Sequence, residues 1–231
     1  MADLGAVEPF SARLTPHGEK ILECPLHPRL AHMVLTAKKH RLGGLAGALA
    51  AILSERDFLR DTPHSDIRER LVFLNREEQS SARIDRMAFQ RVKTVFRQLT
   101  QESFSSVDAE QSGLLLALAY PDRIARSRQL NGCEYTLSNG SGAKLNSGDR
   151  MMTHDFLCAP QVEGSGKLPT IYLAAPLSLQ EIEQQLSYLV KEGIELEWNS
   201  ASKMLSAARE KRIGSIVLSK KNIPASSDAI P

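Results

Sequence analysis

Closely spaced arginines are the residues of this chain whose types and spacing could do chemistry. Three of them follow a proline within a few positions: Pro121, then Arg123, Arg126 and Arg128. The proline ends an apolar run, so the arginines are presented at a fixed point rather than along a continuing helix. Planar guanidinium groups bind phosphate and carboxylate oxygens through paired hydrogen bonds. The spacing therefore predicts a local surface that contacts a phosphate backbone.

The glycine turn that follows adds two further groups. Asn139 and Lys144 flank a Gly-Ser-Gly stretch at 140–142, which is typical of a tight turn between strands. We expect them to supply an amide hydrogen-bond donor and a second cation. The competing interpretation is structural, because arginine also forms ion pairs within proteins. The partners would then be Asp122, Glu134 or Asp149.

Motifs for catalysis are incomplete in this sequence. The GSGK stretch at 164–167 has Gln161 and Leu168 where a phosphate-binding loop needs glycine and Ser or Thr, so a hairpin turn is the better interpretation. The Gly-Ser-Gly stretch lacks the outer glycine of a nucleophile elbow. The six histidines show no metal-ligand spacing, and there is no acidic DExH box. We expect neither metal binding nor ATP hydrolysis by this chain alone.

Composition is that of an ordinary globular protein. The chain has 231 residues, a net charge of +2 and 42% hydrophobic residues. Such a small net charge excludes a global basic field, so any nucleic-acid contact must come from a local patch. The three cysteines are far apart, which is typical of reduced thiols in the cytoplasm. The apolar runs are shorter than the ~20 residues of a membrane span, and the N-terminus has no basic segment. We therefore predict a cytoplasmic protein with no membrane contact.

Helical spacing dominates the first half of the chain. Apolar residues recur at intervals of three and four, and prolines mark helix starts. The predicted helical segments begin after Thr15 and after Pro28, and continue at 45–53, 65–75, 81–100 and 112–120.

After Pro121 the pattern changes to short apolar and β-branched runs bounded by glycine and proline, which predict strands. They are CEYTL, AKL, FLCAPQVE and PTIYLAA, then further strands between 194 and 219, with SLQEIEQQLSYLV helical in between. The fold class is therefore α+β, a helical bundle followed by a small β-rich barrel or sheet. We place a lead-in at 1–13, a helical domain at 14–108, a β-rich domain at 109–220 and a polar tail at 221–231.

The stretch Leu118–Leu145 also resembles a known signature. Its LAYPDRIARSR followed by YTLSNGSGAKL is similar to LAYPDRIARxR and Y-x-L-x-NG-x-GA-x-L of bacterial HrpB-type DEAH-box ATP-dependent RNA helicases. LTPHGEKILECPLHPRLAHMVLTA at 14–37 resembles the family's motif that joins a winged helix to a helical ratchet domain. RIGSIVLS at 212–219 resembles the closing strands of its OB-like domain.

The resemblance implies a ratchet-like helical domain and an OB-like β-rich domain. In that family these modules close over single-stranded RNA, which two motor domains move with ATP and magnesium. The chain departs from the family pattern at three positions: Ile21 and Glu23 replace a methionine and a leucine, and Ser141 replaces an arginine common in relatives.

The resulting hypothesis is an accessory helicase region that guides single-stranded RNA, or DNA, for motor domains in cis or in a separate chain. It needs no cofactor of its own. The expected nucleic-acid contacts are Arg123, Arg126, Arg128, Asn139 and Lys144, with Arg29 and Lys38 near the start of the ratchet-like segment. The alternative is a protein-interaction module that docks onto motor domains or another partner without touching RNA.

Overall fold

The computed structural model describes residues 4–8, 11, 13–60, 62–75, 84–100, 107–199 and 204–223. Seven α-helices lie in these ranges: α1 Pro16–Glu23, α2 Pro28–Lys38, α3 Gly43–Ser54, α4 Ile67–Asn75, α5 Arg86–Leu99, α6 Ser112–Ala119 and α7 Leu179–Gln185. Six of them precede the first strand, as the helical spacing predicts. No helix in the described ranges is both long and apolar enough to span a membrane.

Asp85 determines where α5 begins. Its carboxylate accepts hydrogen bonds from two backbone N–H groups of the first turn, at 3.1 Å each, which stabilises the helix start. The helix predicted over 81–100 therefore begins too early. Ile84 lies before the cap and forms an isolated bridge with Leu59 instead. Residues 81–83 lie outside the described part of the chain.

Five strands close into a small barrel. The eight strands are β1 Ile124–Ser127, β2 Glu134–Leu137, β3 Gly142–Lys144, β4 Phe156–Glu163, β5 Thr170–Leu177, β6 Lys191–Asn199, β7 Met204–Ile213 and β8 Ile216–Ile223. The barrel order is β1-β2-β3-β5-β4, and its pairs are antiparallel except for β3 with β5. The α+β fold with an OB-like barrel is confirmed.

Strand β1 is the element that the sequence pattern does not predict. It has only four residues, and its arginine weakens the apolar signal of a strand. Ile124 packs towards the helices and Ala125 packs inside the barrel, and both are fully buried. Because side chains alternate along a strand, Arg126 lies on the outside of the barrel.

One buried apolar cluster joins the helices to the barrel. It includes Leu115 and Leu116 of α6 together with Ile124, Phe156 and Leu173 of three barrel strands. A second cluster fills the barrel interior around the buried ring of Tyr135, whose hydroxyl donates a hydrogen bond to a backbone carbonyl. The first six helices end at Ala119, and the first strand begins at Ile124. The division into domains at 108/109 stays a prediction.

Hydrogen bonds also connect the segment before α4 to the barrel. The Ser65 N–H donates to the buried Asp149 carboxylate at 2.8 Å, and the Ala174 N–H donates to the Ser65 carbonyl at 2.8 Å. Asp66 also forms an isolated parallel β-bridge with Ala174. Asp149 is therefore occupied as a backbone acceptor, and the described residues give it no arginine partner.

The last three strands form a separate antiparallel sheet in the order β6-β7-β8. Strand β8 continues to Ile223, beyond the point at 219 where the strand pattern ends in the sequence. The turn between β7 and β8 rests on the barrel, because the Ser215 N–H donates to the Ser138 carbonyl at 2.8 Å. Residues 224–231 of the predicted tail lie outside the described part of the chain.

A histidine pair between α1 and α2 predicts a pH-dependent stability. His17 Nε2 and His32 Nδ1 share a hydrogen bond of 2.8 Å. Burial, reinforced by the His17 and Lys39 charges, lowers the pKa of His32 to about 4. A folded-state pKa below the unfolded value of 6.5 means that the unfolded chain binds the proton more readily. Stability is therefore present above pH ~6.5 and is lost as the pH falls towards ~4.

Between these pH values the unfolding free energy is expected to fall by about 1–2 kcal/mol, after allowance for the partial exposure of the His32 ring. Urea unfolding at about pH 7.5 and pH 5 measures it, with His32→Gln expected to show a smaller pH dependence than the parent chain. His40→Gln, at an exposed position, is the matched control. Equal pH slopes for the parent chain and His32→Gln would contradict the assignment.

Candidate nucleic-acid interface

The outer surface of strands β1 to β3 collects part of the predicted site. Arg126 is aligned with Thr136, and Thr136 with Gly142, across the three strands. The next outward row contains Glu134 aligned with Lys144. Alternation along the strands turns these residues away from the buried barrel interior. We call this surface the β1–β3 face.

Arg128 and Lys144 are the exposed cations of the β1–β3 face. The Arg128 side chain is 44% exposed and donates to Glu134 at 3.1 Å and to the Thr136 hydroxyl at 3.2 Å. Lys144 is exposed at the end of β3. Gly142 lies beside Arg128, and a side chain there would collide with the guanidinium group. The Leu168 side chain also lies against Gly142, so the area beside the Arg128 guanidinium requires a residue without a side chain at this position.

The Arg126 side chain binds groups within the protein itself. Its guanidinium donates to the Val217 carbonyl of β8 and lies over the Phe156 ring, 5.5 Å from the ring centroid. These contacts connect the three-stranded sheet to the barrel. Arg126 shares an outward direction with the β1–β3 face, but β8 partly covers it.

Arg29 and Arg123 lie elsewhere, around Asp122. Arg29 donates to both Asp122 carboxylate oxygens and to the Ala119 carbonyl at the end of α6, and it lies 5.2 Å from the Tyr120 ring centroid. Arg123 approaches the same carboxylate at 3.8 Å. Asp122 is thus the partner of Arg123 that the ion-pair interpretation of the arginine cluster predicted, and Arg29 shares it.

Both arginines line a cavity of about 740 Å³ between the helices and the barrel. A neighbouring cavity of about 970 Å³ shares Leu53, Tyr120 and Pro160 with it. The second cavity contains more carboxylates than cations: Glu55, Asp57, Asp85 and Glu163 against Arg56 and Arg60. Phosphate groups would be repelled there, so this cavity is less suited than the β1–β3 face to binding the phosphate backbone of a nucleic acid.

Asn139 and Lys38 do not join either cluster. The Asn139 side-chain oxygen accepts hydrogen bonds from the Ser141 N–H at 2.9 Å and the Ser141 hydroxyl at 2.7 Å, so it builds the β2–β3 turn. Lys38 is exposed in the last turn of α2, where a cation suits the helix dipole. The structure therefore brings only part of the predicted set together.

Lys167 is a residue of this surface that sequence reasoning did not select. It belongs to the GSGK stretch, which forms the β4–β5 hairpin turn as predicted. The turn lies beside β3, because the Lys144 N–H donates to the Pro169 carbonyl at 2.9 Å. The position of this turn beside β3 follows from the β3–β5 pairing, which no local sequence pattern reveals.

The described residues offer little nucleophilic or metal chemistry. Complete burial raises the pKa of the Cys158 thiol, which disfavours a reactive thiolate. No group of three or more His, Cys, Asp or Glu in the described ranges could hold a metal ion.

Comparison with known proteins finds similarity to one part of a helicase. It is 30% identical over 224 residues to the ATP-dependent RNA helicase HrpB of Escherichia coli strain K12, covering 93% of this chain and 25% of the relative. This chain is homologous to about a quarter of an HrpB-type helicase. No protein-family model matches it.

Solved structures of HrpB agree with this relationship. The E. coli DExH-box NTPase HrpB superposes with a TM-score of 0.78 at 30% identity, covering 98% of this chain and 26% of that one. A structure of the E. coli DEAH/RHA helicase HrpB gives a TM-score of 0.77 at 29% identity, covering 99% and 27%. The homology thus extends over nearly the whole chain, which spans about a quarter of the length of these relatives.

Proposed function

We propose that this chain is an accessory region of an HrpB-type RNA helicase that guides single-stranded RNA along the β1–β3 face. The observation that carries the proposal is the pair of exposed cations, Arg128 and Lys144, which lie on either side of Glu134 on the outside of an OB-like barrel. Lys167 in the neighbouring hairpin turn adds a third exposed cation. OB-type barrels commonly bind oligonucleotides on the face formed by their second and third strands.

The composition of the face predicts the character of the binding. Its outward residues on β1 to β3 include no aromatic ring, since Tyr135 points into the barrel. Base stacking therefore adds little, and contacts to the phosphate backbone dominate. We expect weak binding of single strands with little sequence preference and strong salt dependence.

Alanine substitution of Arg128 or Lys144 is expected to weaken binding of labelled single-stranded RNA about three- to tenfold. Each change should also lower the slope of log affinity against log salt by about one. Glu134→Gln should act in the opposite direction, because it removes a negative charge and releases Arg128 from its ion pair. Fluorescence anisotropy across a salt series measures all three effects.

Arg97→Ala is the matched control, since it removes one exposed cation from α5, away from the face. Arg29→Ala and Arg126→Ala test whether these two arginines stabilise the fold rather than bind RNA. Their contacts within the fold predict a lower unfolding free energy, measured by urea titration, with less effect on the salt slope. Equal losses of affinity for Arg97→Ala and Lys144→Ala would rule out the face as the binding surface.

Further elements of the proposal concern the rest of such a helicase. We propose that ATP and magnesium bind helicase motor domains, in cis or in a separate chain, and that the protein acts in the cytoplasm. The alternative, a docking module without RNA contact, is favoured by one observation: Arg29, Arg123 and Arg128 all contact carboxylates within the chain. RNA binding that is undetectable even at low salt would support this alternative.

A further inference from the structure

Strand β6 is a long edge strand with one side unoccupied by the described residues. It pairs with β7 through nine consecutive residues, from Lys191 to Asn199, and no register shift interrupts the ladder. It lies at the end of the β6-β7-β8 order, so its outer N–H and C=O groups face away from the sheet. Proteins usually protect such an edge with a proline, a bulge, a short strand or charged side chains. Strand β6 has no proline and no bulge and is nine residues long, so its charged residues are the protection it has.

Apolar side chains accompany the open edge. Ile194 is 47% exposed and Leu196 is 41% exposed, and alternation puts both on the same face of the sheet. Glu192 and Glu195 are also exposed, and they pair with Lys211 at 3.5 Å and Arg212 at 3.1 Å on β7. The edge thus combines apolar residues with charges that β7 already balances.

The order of residues along β6 is complementary to itself in an antiparallel pairing. When Ile194 is aligned with Ile194 of a second copy, Gly193 is aligned with Glu195 and Glu192 with Leu196. The same register aligns Lys191 with position 197, where the sequence has glutamate. No two like charges are then opposite each other, and the apolar residues meet at the centre. Shifting the centre to 192 or 195 would align two glutamates.

We propose that β6 pairs with β6 of a second copy of this chain, antiparallel and centred on Ile194, so that two three-stranded sheets become one six-stranded sheet. Backbone hydrogen bonds between the two edges supply the association, and the paired isoleucines supply the register. Such an interface is small, so the dimer is weak and concentration-dependent. The inference is independent of RNA binding, because β6 contributes no residue to the β1–β3 face.

Light scattering on the full 231-residue chain over a concentration series tests the proposal. The expected result is a mass that rises towards twice the monomer value with concentration. Ile194→Lys should abolish the rise, because it would align two lysines at the centre. Met87→Lys makes the same chemical change at a residue of α5 that is 72% exposed, and it should leave dimerisation unchanged.

Disulfide trapping tests the register. In a background with Cys24 and Cys133 changed to serine, Ile194→Cys should form an intermolecular disulfide with oxidised glutathione, since aligned antiparallel residues lie within disulfide range. Gly193→Cys should cross-link much less, because its aligned residue is Glu195. Overturning results are a monomer at all soluble concentrations, a dimer unaffected by Ile194→Lys, or preferential cross-linking at 193. A monomer that instead binds an added peptide would assign the edge to another partner and overturn the proposal equally.

Discussion

Replacing Arg70 by alanine is expected to lower the unfolding free energy by about 3–5 kcal/mol. Arg70 is 2% exposed. Its guanidinium donates to the Asp57 carboxylate at 2.7 and 3.3 Å and to the carbonyls of His64 and Asp66 at 3.0 and 3.1 Å. Alanine would leave a carboxylate and two carbonyls without this donor and would open a cavity beneath α4. A single side chain thus connects the Asp57 carboxylate to the backbone of His64 and Asp66.

Arg68→Ala is the matched control for this prediction. Arg68 pairs with the Asp66 carboxylate at 2.8 Å, but the pair is partly exposed, so we expect a loss of about 1 kcal/mol or less. Arg70→Lys should fall between the two alanine variants, because one ammonium group cannot reach all three acceptors. Urea denaturation of the variants in parallel gives the comparison. Similar losses of unfolding free energy for Arg68→Ala and Arg70→Ala would show that the burial of Arg70 does not strengthen its contribution to stability.

The fold was largely predictable because its signals are local. The apolar period of α2, the proline that ends α6 and the glycine turns between strands each act within a few residues. Strand β1 is the exception, since its four residues become a strand only through pairing with β2 and β4. Asp85 could have been identified as the cap of α5, because an aspartate before a helical run is a typical start signal.

The site was less predictable because its contacts are distant in sequence. Arg29 and Asp122 are 93 residues apart, and Arg126 reaches a carbonyl 91 residues away. The sequence indicated a cation cluster, but only the fold determines which cations meet carboxylates. Glu134 is a partner of Arg128 that the sequence did predict, since Arg128 directly follows β1 and Glu134 begins β2 after one short turn. The alignment of Lys144 with Glu134 depends on the β2–β3 register, which the turn alone suggests but does not fix.

Gly113→Ala is expected to destabilise the protein by about 2–3 kcal/mol, although alanine favours helices over glycine by about 1 kcal/mol. The reason is the close approach of α6 to the barrel. A Cβ atom at Gly113 would overlap the Pro176 carbonyl oxygen of β5, well inside van der Waals contact. Backbone in a closed barrel cannot rotate away as a side chain can, so the helix itself must shift.

Gly47→Ala makes the same substitution in α3 and separates packing from helix propensity. Its Cβ would lie 3.3 Å from the Thr100 methyl group and 3.7 Å from the Phe96 ring, and neither contact involves backbone. We therefore expect a change between zero and about 1 kcal/mol of stabilisation. The midpoints of thermal and of urea unfolding should therefore fall for Gly113→Ala and stay unchanged or rise for Gly47→Ala. A stabilised Gly113→Ala would disprove the close helix–barrel contact. Because α6 leads directly to Asp122 and Arg123, a shifted helix should also disturb the Arg29–Asp122 pair while leaving Arg128 and Lys144 in place. RNA affinity of Gly113→Ala, measured under folded conditions, should then remain close to that of the parent chain.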